Sequence, residues 1–267
     1  NHFDNADVYG HGRAERALAR ALEGVSAEAI VASKVGFFRG TAEHPYHPFH
    51  IRRQCEQSLI NLRREWLDIY YLHHTDFGEG DRYLDGAVET MRRLRDEGKI
   101  RVIGLSSHSV DDFVKYVPLV EPQVLQGRAS MMDRRLIDPD SPARRLMEER
   151  SLRLVCFSPL EQGVLLDKYS AKDPPKFPDG DVRQGKERFS SEGLAAIEPA
   201  LARLGERLGT STQERAVAAL SFLLAHERVL CAIPGFRNPG QVECNLACGG
   251  RPMSAGDAAL VREVFPR

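Results

Sequence analysis

Short apolar runs rich in β-branched residues alternate along this chain with amphipathic segments of helical period. This alternation is typical of βαβ units, in which successive strands pair in parallel and helices cover the sheet. The predicted strands are 2–6, 29–35, 68–74, 102–108, 124–130, 153–159 and 229–236. The helices that follow them are predicted at 13–22, 49–62, 83–98, 110–117, 143–151, 194–208 and 239–248.

Seven such units, with two further helices at 212–226 and 255–265, favour an α/β fold. We interpret residues 1–267 as a single (β/α)8 TIM barrel domain whose opening strand and helix are expected upstream of Asn1. An open doubly wound sheet also alternates strands and helices, but it requires a glycine-rich turn after an early strand. No G-x-G-x-x-G stands at a strand-to-helix junction in the sequence, so the barrel is favoured.

Charge and cysteine content narrow the class of protein. The 37 Lys and Arg residues nearly balance the 38 Asp and Glu residues, which argues against nucleic acid or an acidic membrane surface as a partner. The apolar runs are interrupted before the roughly 20 residues of a membrane span. Five cysteines are few and odd in number, which favours free thiols and a cytoplasmic location. The oligomeric state is left open.

Polar side chains stand at the carboxyl ends of the first three predicted strands, where the working residues of a parallel barrel gather. Asp4 and Tyr9 follow the first strand, Lys34 ends the second and His73 ends the third. An ammonium beside Tyr9 would lower a pKa that is ordinarily about 10, and Asp4 would hold Lys34 in place. His73 would orient a substrate oxygen, or relay a proton at lower pH.

Taken singly, these residues have structural interpretations as a cap, a surface charge or a buried histidine. Four compatible groups at successive strand ends are harder to explain in that way, so we interpret them as a proton-donating centre. No metal site is predicted. The spacing of His44, His47 and His50 does not indicate one, because prolines exclude a helix and no acidic or thiolate partner is near.

Three stretches at these strand ends carry a recognisable pattern: F-D-N-A-D-V-Y-G at 3–10, A-S-K at 32–34 and L-D-I-Y-Y-L-H at 67–73. They resemble the aldo-keto reductase family. In that family the matching Asp, Tyr, Lys and His form the catalytic tetrad. The resemblance therefore implies catalytic roles for Asp4, Tyr9, Lys34 and His73, with Tyr9 as the proton donor and His73, rather than His74, in the histidine position.

Further stretches extend the resemblance and imply NADPH (NADP+) as cofactor. The stretch 98–107 and the glutamine of L-Q-G at 125–127 resemble the parts that hold the nicotinamide carboxamide, although serine replaces the commoner asparagine at 107. The stretch 157–169 resembles the part beside the nicotinamide ring and pyrophosphate. I-P-G at 233–235 and the helix after it resemble the part that binds the adenosine 2'-phosphate and adenine. The implied cofactor-binding residues are Ser106, Ser107, Gln126, Phe157, Ser158, Leu160, Gly163, Lys168, Ile233, Pro234, Gly235, Arg237, Gln241 and Asn245.

The resemblance implies an oxidoreductase that reduces a small-molecule aldehyde or ketone to an alcohol by hydride transfer from NADPH. One alternative is a cofactor-binding regulatory subunit of the same fold with little turnover, since the family contains such members. Another is a phosphate-binding barrel isomerase or lyase that uses no nicotinamide. Substrate specificity is expected in the loops 37–48, 75–82 and 170–189.

Overall fold

The computed structural model describes residues 1–25 and 28–266. The chain forms two compact units. Unit 1 comprises Asn1–Gly127 and Pro142–Leu154, and unit 2 comprises Arg128–Ser141 and Val155–Arg267. That the chain is a single domain over residues 1–267 stays a prediction, and each unit is described by itself.

Unit 1 is built on strands that pair side by side in chain order, each parallel to the next. They are β1 (His2–Asp4), β2 (Ile30–Val35), β3 (Leu67–Leu72), β4 (Ile100–Ser107) and β5 (Val124–Arg128), of which only Arg128 belongs to unit 2. β3 is buried along nearly its whole length, as expected for a parallel strand that lies under helices. The register pairs Asp4 with Ala32 and Lys34 with Tyr71, so the carboxyl ends of β1, β2 and β3 meet at one edge.

The helices of unit 1 follow its strands. They are α1 (Arg13–Ala21), α2 (Pro48–Leu62), α3 (Leu84–Asp96), α4 (Val110–Val120) and α5 (Pro142–Glu149). α2 begins at a proline, whose fixed φ and missing N–H suit a first turn. α4 begins after Ser109, whose hydroxyl accepts a hydrogen bond from the Asp112 backbone N–H. Both helices end at a residue in the left-handed conformation, Arg63 and Glu121 respectively.

Unit 2 holds the end of the sixth strand, the whole of the seventh and four α-helices of the described chain. β6 (Arg153–Phe157) begins in unit 1 and ends in unit 2, which also holds β7 (Val229–Ile233), α6 (Ser191–Leu208), α7 (Thr212–Leu224), α8 (Pro239–Leu246) and α9 (Ala255–Val264). A capping box of Ser211 and Glu214 starts α7. Aromatic contacts pack the loop 170–189. The ring centroid of Phe189 lies 4.9 Å from that of Phe177 and 5.5 Å from that of Tyr169.

The strands and helices lie where the sequence predicts them, but every strand except β2 ends one to three residues earlier. β1 ends at Asp4 rather than at residue 6, and β7 ends at Ile233 rather than at residue 236. Pro234 follows β7 and lacks the N–H that a strand ladder needs. Among the described residues no disulfide is formed. None of the helices in the described chain has the length and apolar character that a membrane span requires.

Candidate active site

Lys34 and Asp4 form a buried ion pair at the carboxyl ends of β2 and β1. Lys34 Nζ lies 2.5 Å from Asp4 Oδ2 and donates a second hydrogen bond to the Asn5 carbonyl oxygen at 2.7 Å. Burial lowers the pKa of Lys34, and the negative charge of Asp4 opposes that shift. Asp4 therefore holds the lysine as the sequence predicts.

The Tyr9 ring lies beside this ion pair. A turn closed by a hydrogen bond from the Tyr9 N–H to the Ala6 carbonyl places the ring centroid 5.1 Å from Lys34 Nζ, and 42% of Tyr9 is exposed. Loss of hydration, followed by the charges of Asp4 and Asp7, raises the pKa of Tyr9 to about 12. The pKa of Tyr9 is therefore raised rather than lowered as predicted, because burial and the charges of Asp4 and Asp7 outweigh the effect of Lys34.

His73 follows β3 directly and is held there by a hydrogen bond from its N–H to the Val35 carbonyl at 2.9 Å. Its ring meets the Tyr9 ring edge-on, with 6.0 Å between centroids. Nδ1 of His73 is buried and has no hydrogen-bond partner within the described chain. Burial and the Lys34 charge lower the pKa of His73 to about 3, so the imidazole is neutral at physiological pH. A proton relay through His73 at mildly acidic pH, one of the two roles predicted, is therefore not supported.

Gln126 and the two serines that end β4 also lie in unit 1. Gln126 is buried, and its Nε2 donates a hydrogen bond to Asp4 Oδ1 at 2.7 Å, so it steadies the carboxylate that holds Lys34. Ser106 is buried as well. The Ser107 hydroxyl donates to Asp112 Oδ2 at 2.7 Å and thereby supports the start of α4. In this structure the amide and this hydroxyl are bound to carboxylates of the chain.

A buried carboxylate that sequence reasoning did not single out lies next to the Tyr9 turn. Asp7 Oδ2 accepts a hydrogen bond from Gln54 Nε2 at 3.0 Å, while Asp7 Oδ1 is buried with no partner among the described residues. Burial raises the pKa of Asp7 to about 6. The signal available in the sequence was an acidic residue inside the stretch that contains Asp4 and Tyr9.

In unit 2, the segment after β6 has an unusual backbone. Phe157 ends β6, Ser158 has a positive φ, and Leu160 precedes a turn of 3-10 helix at Glu161–Leu166. Gly163 within that turn has φ 98°, and a side chain there would come 2.8 Å from Lys168 Cε. Lys168 therefore packs over this glycine, whose positive φ disfavours other residues.

The other predicted cofactor segment in unit 2 runs from β7 into α8. Ile233 ends β7, and Pro234 and Gly235 lead to Asn238, whose side chain caps α8. Gln241 Oε1 accepts a hydrogen bond from the Arg237 backbone N–H at 2.7 Å. The Asn245 side-chain nitrogen is buried without a partner in the described part of the chain.

Two charged residues near Arg237 were not foreseen. The exposed Arg237 guanidinium lies 3.9 Å from Asp181, whose carboxylate also binds Arg183 at 2.7 Å. Both lie in the loop 170–189, and no local pattern pairs them with a residue over 50 positions away. Within the described residues no group of three His, Cys, Asp or Glu side chains could hold a metal ion.

The model of the Aldo/keto reductase family matches residues 1–265. The chain belongs to the aldo-keto reductase family. Among curated relatives, the protein named "Aldo-keto reductase yakc [NADP(+)]" from Schizosaccharomyces pombe is 25% identical over 268 residues, which cover 98% of this chain and 77% of that one. The "NADH-specific methylglyoxal reductase" of Escherichia coli is 25% identical over 277 residues, covering 99% of this chain and 83% of that one.

Solved structures of the family confirm the fold class. A glycerol dehydrogenase, AKR11B4, from Gluconobacter oxydans is similar with a TM-score of 0.82 and 25% identity, covering 99% of this chain and 80% of that one. The holo form of aldo-keto reductase AKR11C1 from Bacillus halodurans has a TM-score of 0.75 and 26% identity, covering 99% and 82%. The described residues thus hold seven strands of the (β/α)8 barrel fold predicted from the sequence.

Proposed function

We propose that this aldo-keto reductase reduces aldehydes or ketones to alcohols with NADPH and that Tyr9 donates the proton. The observation that carries the proposal is the contact of the Tyr9 ring with an ammonium, Lys34, that is buried and bound to Asp4. A phenol with a raised pKa is fully protonated at neutral pH and thus ready to donate. As the proton leaves, Lys34 stabilises the phenolate that forms.

His73 orients the substrate in this proposal. A neutral imidazole has one N–H to donate to the carbonyl oxygen, and the pKa of His73 keeps it neutral. Its buried Nδ1 has no partner within the described chain, so the ring is not committed through that atom to another group. The Tyr9 and His73 rings meet edge-on and would contact the same oxygen.

NADPH, when bound, supplies the hydride that adds to the carbonyl carbon. The side chains that we propose to hold it include two with free bonding capacity: the exposed Arg237 for the 2'-phosphate and the unpartnered Asn245 amide for the adenine end. Further contacts are proposed for Ser106, Ser107, Gln126, Phe157, Ser158, Leu160, Gly163, Lys168, Ile233, Pro234, Gly235 and Gln241.

NADPH is preferred to NADH in this proposal because of Arg237. A Klebsiella pneumoniae aldo-keto reductase solved with NADP and acetate, 25% identical with a TM-score of 0.69 and covering all of this chain and 80% of that one, supports the same choice. The NADH-specific relative from Escherichia coli makes the opposite choice. The substrate is a small-molecule carbonyl compound, and a cytoplasmic location stays a prediction.

The test is NADPH oxidation followed at 340 nm with a panel of aldehydes. We expect Tyr9→Phe to lower kcat/KM by about 10²- to 10⁴-fold, the usual worth of a general acid. Tyr83→Phe is the matched control, because it keeps the ring and removes a hydroxyl that donates to the exposed Glu43, and it should leave turnover within about twofold. Turnover by Tyr9→Phe within a few fold of wild type would show that another group is the acid.

Lys34→Met separates catalysis from cofactor binding. It should abolish reduction, because the phenolate loses its stabilising charge, while the NADPH dissociation constant changes little. Circular dichroism checks that the variant, which leaves Asp4 without its cation, is folded. Equal loss of binding and turnover would identify a structural lysine, and tight NADPH binding by the wild type with negligible turnover would favour the regulatory subunit.

A further inference from the structure

Two adjacent phenylalanines remain exposed just after β2. Phe37 is 59% exposed, and Phe38 is also exposed. Single exposed apolar residues are common on proteins, but two adjacent exposed rings beside a candidate site form an apolar surface that a ligand can cover. Both residues follow Lys34 closely in the chain, which places them at the same edge of the sheet as the candidate site.

Phe37 lies against the imidazole that the proposed mechanism uses. Its ring centroid is 4.5 Å from that of His73, with an angle of 76° between the planes. Tyr9 meets the same imidazole at 6.0 Å, also edge-on. A substrate oxygen bound by Tyr9 and His73 would therefore carry its substituent within reach of the Phe37 ring.

His74 fixes the backbone that carries Phe37. Its Nε2 donates to the Gly36 carbonyl at 2.7 Å, and its Nδ1 accepts from the Asp76 N–H at 3.1 Å, so both ring nitrogens are used by the neutral tautomer. Its ring also contacts Phe37 at 4.8 Å. Gly36 allows this approach, because a side chain there would come 3.1 Å from both His73 Cβ and His74 Cδ2.

Tyr46 completes the support. Its buried hydroxyl donates to the His74 carbonyl at 2.7 Å and accepts from the His74 N–H at 2.9 Å. On the next residue along, the Phe38 carbonyl is hydrogen-bonded to His50 Nε2 at 2.6 Å. The backbone on either side of the Phe37 side chain is thus held by a histidine, which fixes the direction in which the side chain leaves the backbone.

We propose that Phe37 is a specificity-determining residue that packs against an aryl or other flat apolar substituent of the carbonyl substrate, and that His74 is the positioning residue that holds it there. The inference rests on the proposed function of the same site. Aromatic rings stack or meet edge-on with a preference that saturated chains do not share, so the surface selects aryl carbonyls over small aliphatic ones.

The first test compares benzaldehyde with propanal as substrates. Phe37→Ala should raise the KM for benzaldehyde about tenfold with little change in kcat, and should leave kcat/KM for propanal within about twofold. Phe49→Ala is the matched control, since Phe49 is 69% exposed at the start of α2, and it should change neither substrate. An equal effect of Phe37→Ala on both aldehydes would overturn the proposal.

The second test asks whether His74 acts through Phe37. His74→Phe keeps a ring but loses both hydrogen bonds, and it should raise the benzaldehyde KM as Phe37→Ala does. His74→Gln keeps a donor for the Gly36 carbonyl and should restore most of the wild-type KM. In the Phe37→Ala background, His74→Phe should add little further loss. Fully additive losses in benzaldehyde KM would contradict a positioning role.

Binding without turnover separates this inference from the proposed function. Saturation-transfer NMR with benzyl alcohol should show contact with the wild type and with Phe49→Ala, and loss of contact with Phe37→Ala. If no aldehyde were reduced but this difference persisted, the proposed activity would fail while the aryl-binding surface stood. Equal transfer to wild type and Phe37→Ala would overturn the inference even for an active enzyme.

Discussion

Two buried carboxylates, one in each unit, differ in the groups that bind them. In unit 1, Asp7 is buried beside the Tyr9 turn and makes no ion pair with any described residue; its only side-chain donor there is the Gln54 amide. In unit 2, the buried Glu161 is bound by Arg128 and Arg188 and accepts a further hydrogen bond. The first carboxylate therefore has a pKa raised to about 6, while the second keeps two cations.

The chain thus tolerates an uncompensated buried carboxylate in unit 1, beside the candidate active site. An uncompensated charge costs stability, and such groups gather where chemistry needs a shifted pKa. Asp7 raises the pKa of Tyr9, so the buried carboxylate that destabilises the fold lies next to the proposed acid. Glu161 has no such neighbour among the proposed catalytic residues, and its ion pairs join the end of β5, the segment after β6 and the loop 170–189.

The largest effect is expected in unit 2, on breaking its compensated cluster. Glu161→Gln removes the charge that Arg128 and Arg188 share and leaves the Ser130 hydroxyl, now 2.7 Å from Glu161 Oε1, with a weaker acceptor. Removing one partner of a buried ion pair costs about 3–5 kcal/mol, and the partial exposure of both arginines reduces this to about 2–4 kcal/mol. Hydrogen exchange of peptides from 155–190 should become correspondingly faster.

Glu263→Gln is the control for that loss, because Glu263 pairs with Arg203 at an exposed site in the same unit. Surface pairs contribute little, so the control should change stability by less than about 1 kcal/mol. Similar exchange in both variants would mean that the cluster at Glu161 does not stabilise unit 2.

The opposite sign is expected for Asp7 in unit 1. Its raised pKa means that the folded state prefers the neutral carboxyl. The contribution of the neutral Asp7 to the free energy of unfolding is fully present below the unfolded pKa of about 4, and it is lost as pH rises through about 6. Asp7→Asn should therefore stabilise the protein by about 1–3 kcal/mol at pH 8 and by little at pH 4. Urea unfolding followed by fluorescence of the single tryptophan, Trp66 in unit 1, measures this.

Asp96→Asn provides the matched comparison, since Asp96 is an exposed aspartate of the same unit. It should shift the unfolding free energy by less than about 0.5 kcal/mol at either pH. Destabilisation by Asp7→Asn at pH 8 would mean that the charged carboxylate is favourable, and the contrast between the units would disappear.

The sequence predicted the strands and the groups at their ends because both follow local patterns. Alternating apolar runs gave seven strands, and parallel pairing then brought Asp4 and Lys34 into contact. The bond from Gln126 to Asp4 joins residues 122 positions apart, so no local pattern could give it. The predicted direction of the Tyr9 pKa shift is wrong for the same reason. The shift depends on burial in three dimensions and on the pairing of Lys34 with Asp4, and neither is visible in a local pattern.

The smallest effect is expected at Arg237 in unit 2. Unlike Glu161 in the same unit, Arg237 is a charge that is not closely matched by opposite charges. It is 71% exposed and lies 3.9 Å from Asp181, which is already bound to Arg183. Such a cation is available to an anion from outside the chain, and an exposed contact of this kind is worth roughly 1 kcal/mol. Arg237→Gln should thus weaken NADPH binding about three- to tenfold, measured by fluorescence titration, and leave NADH binding unchanged. Arg203→Gln should alter neither, because Arg203 pairs with Glu263. Equal weakening of NADPH and NADH binding would mean that Arg237 acts through the loop 170–189 rather than on the 2'-phosphate. The charges of Arg237, Asp181 and Arg183 would then serve only to stabilise unit 2.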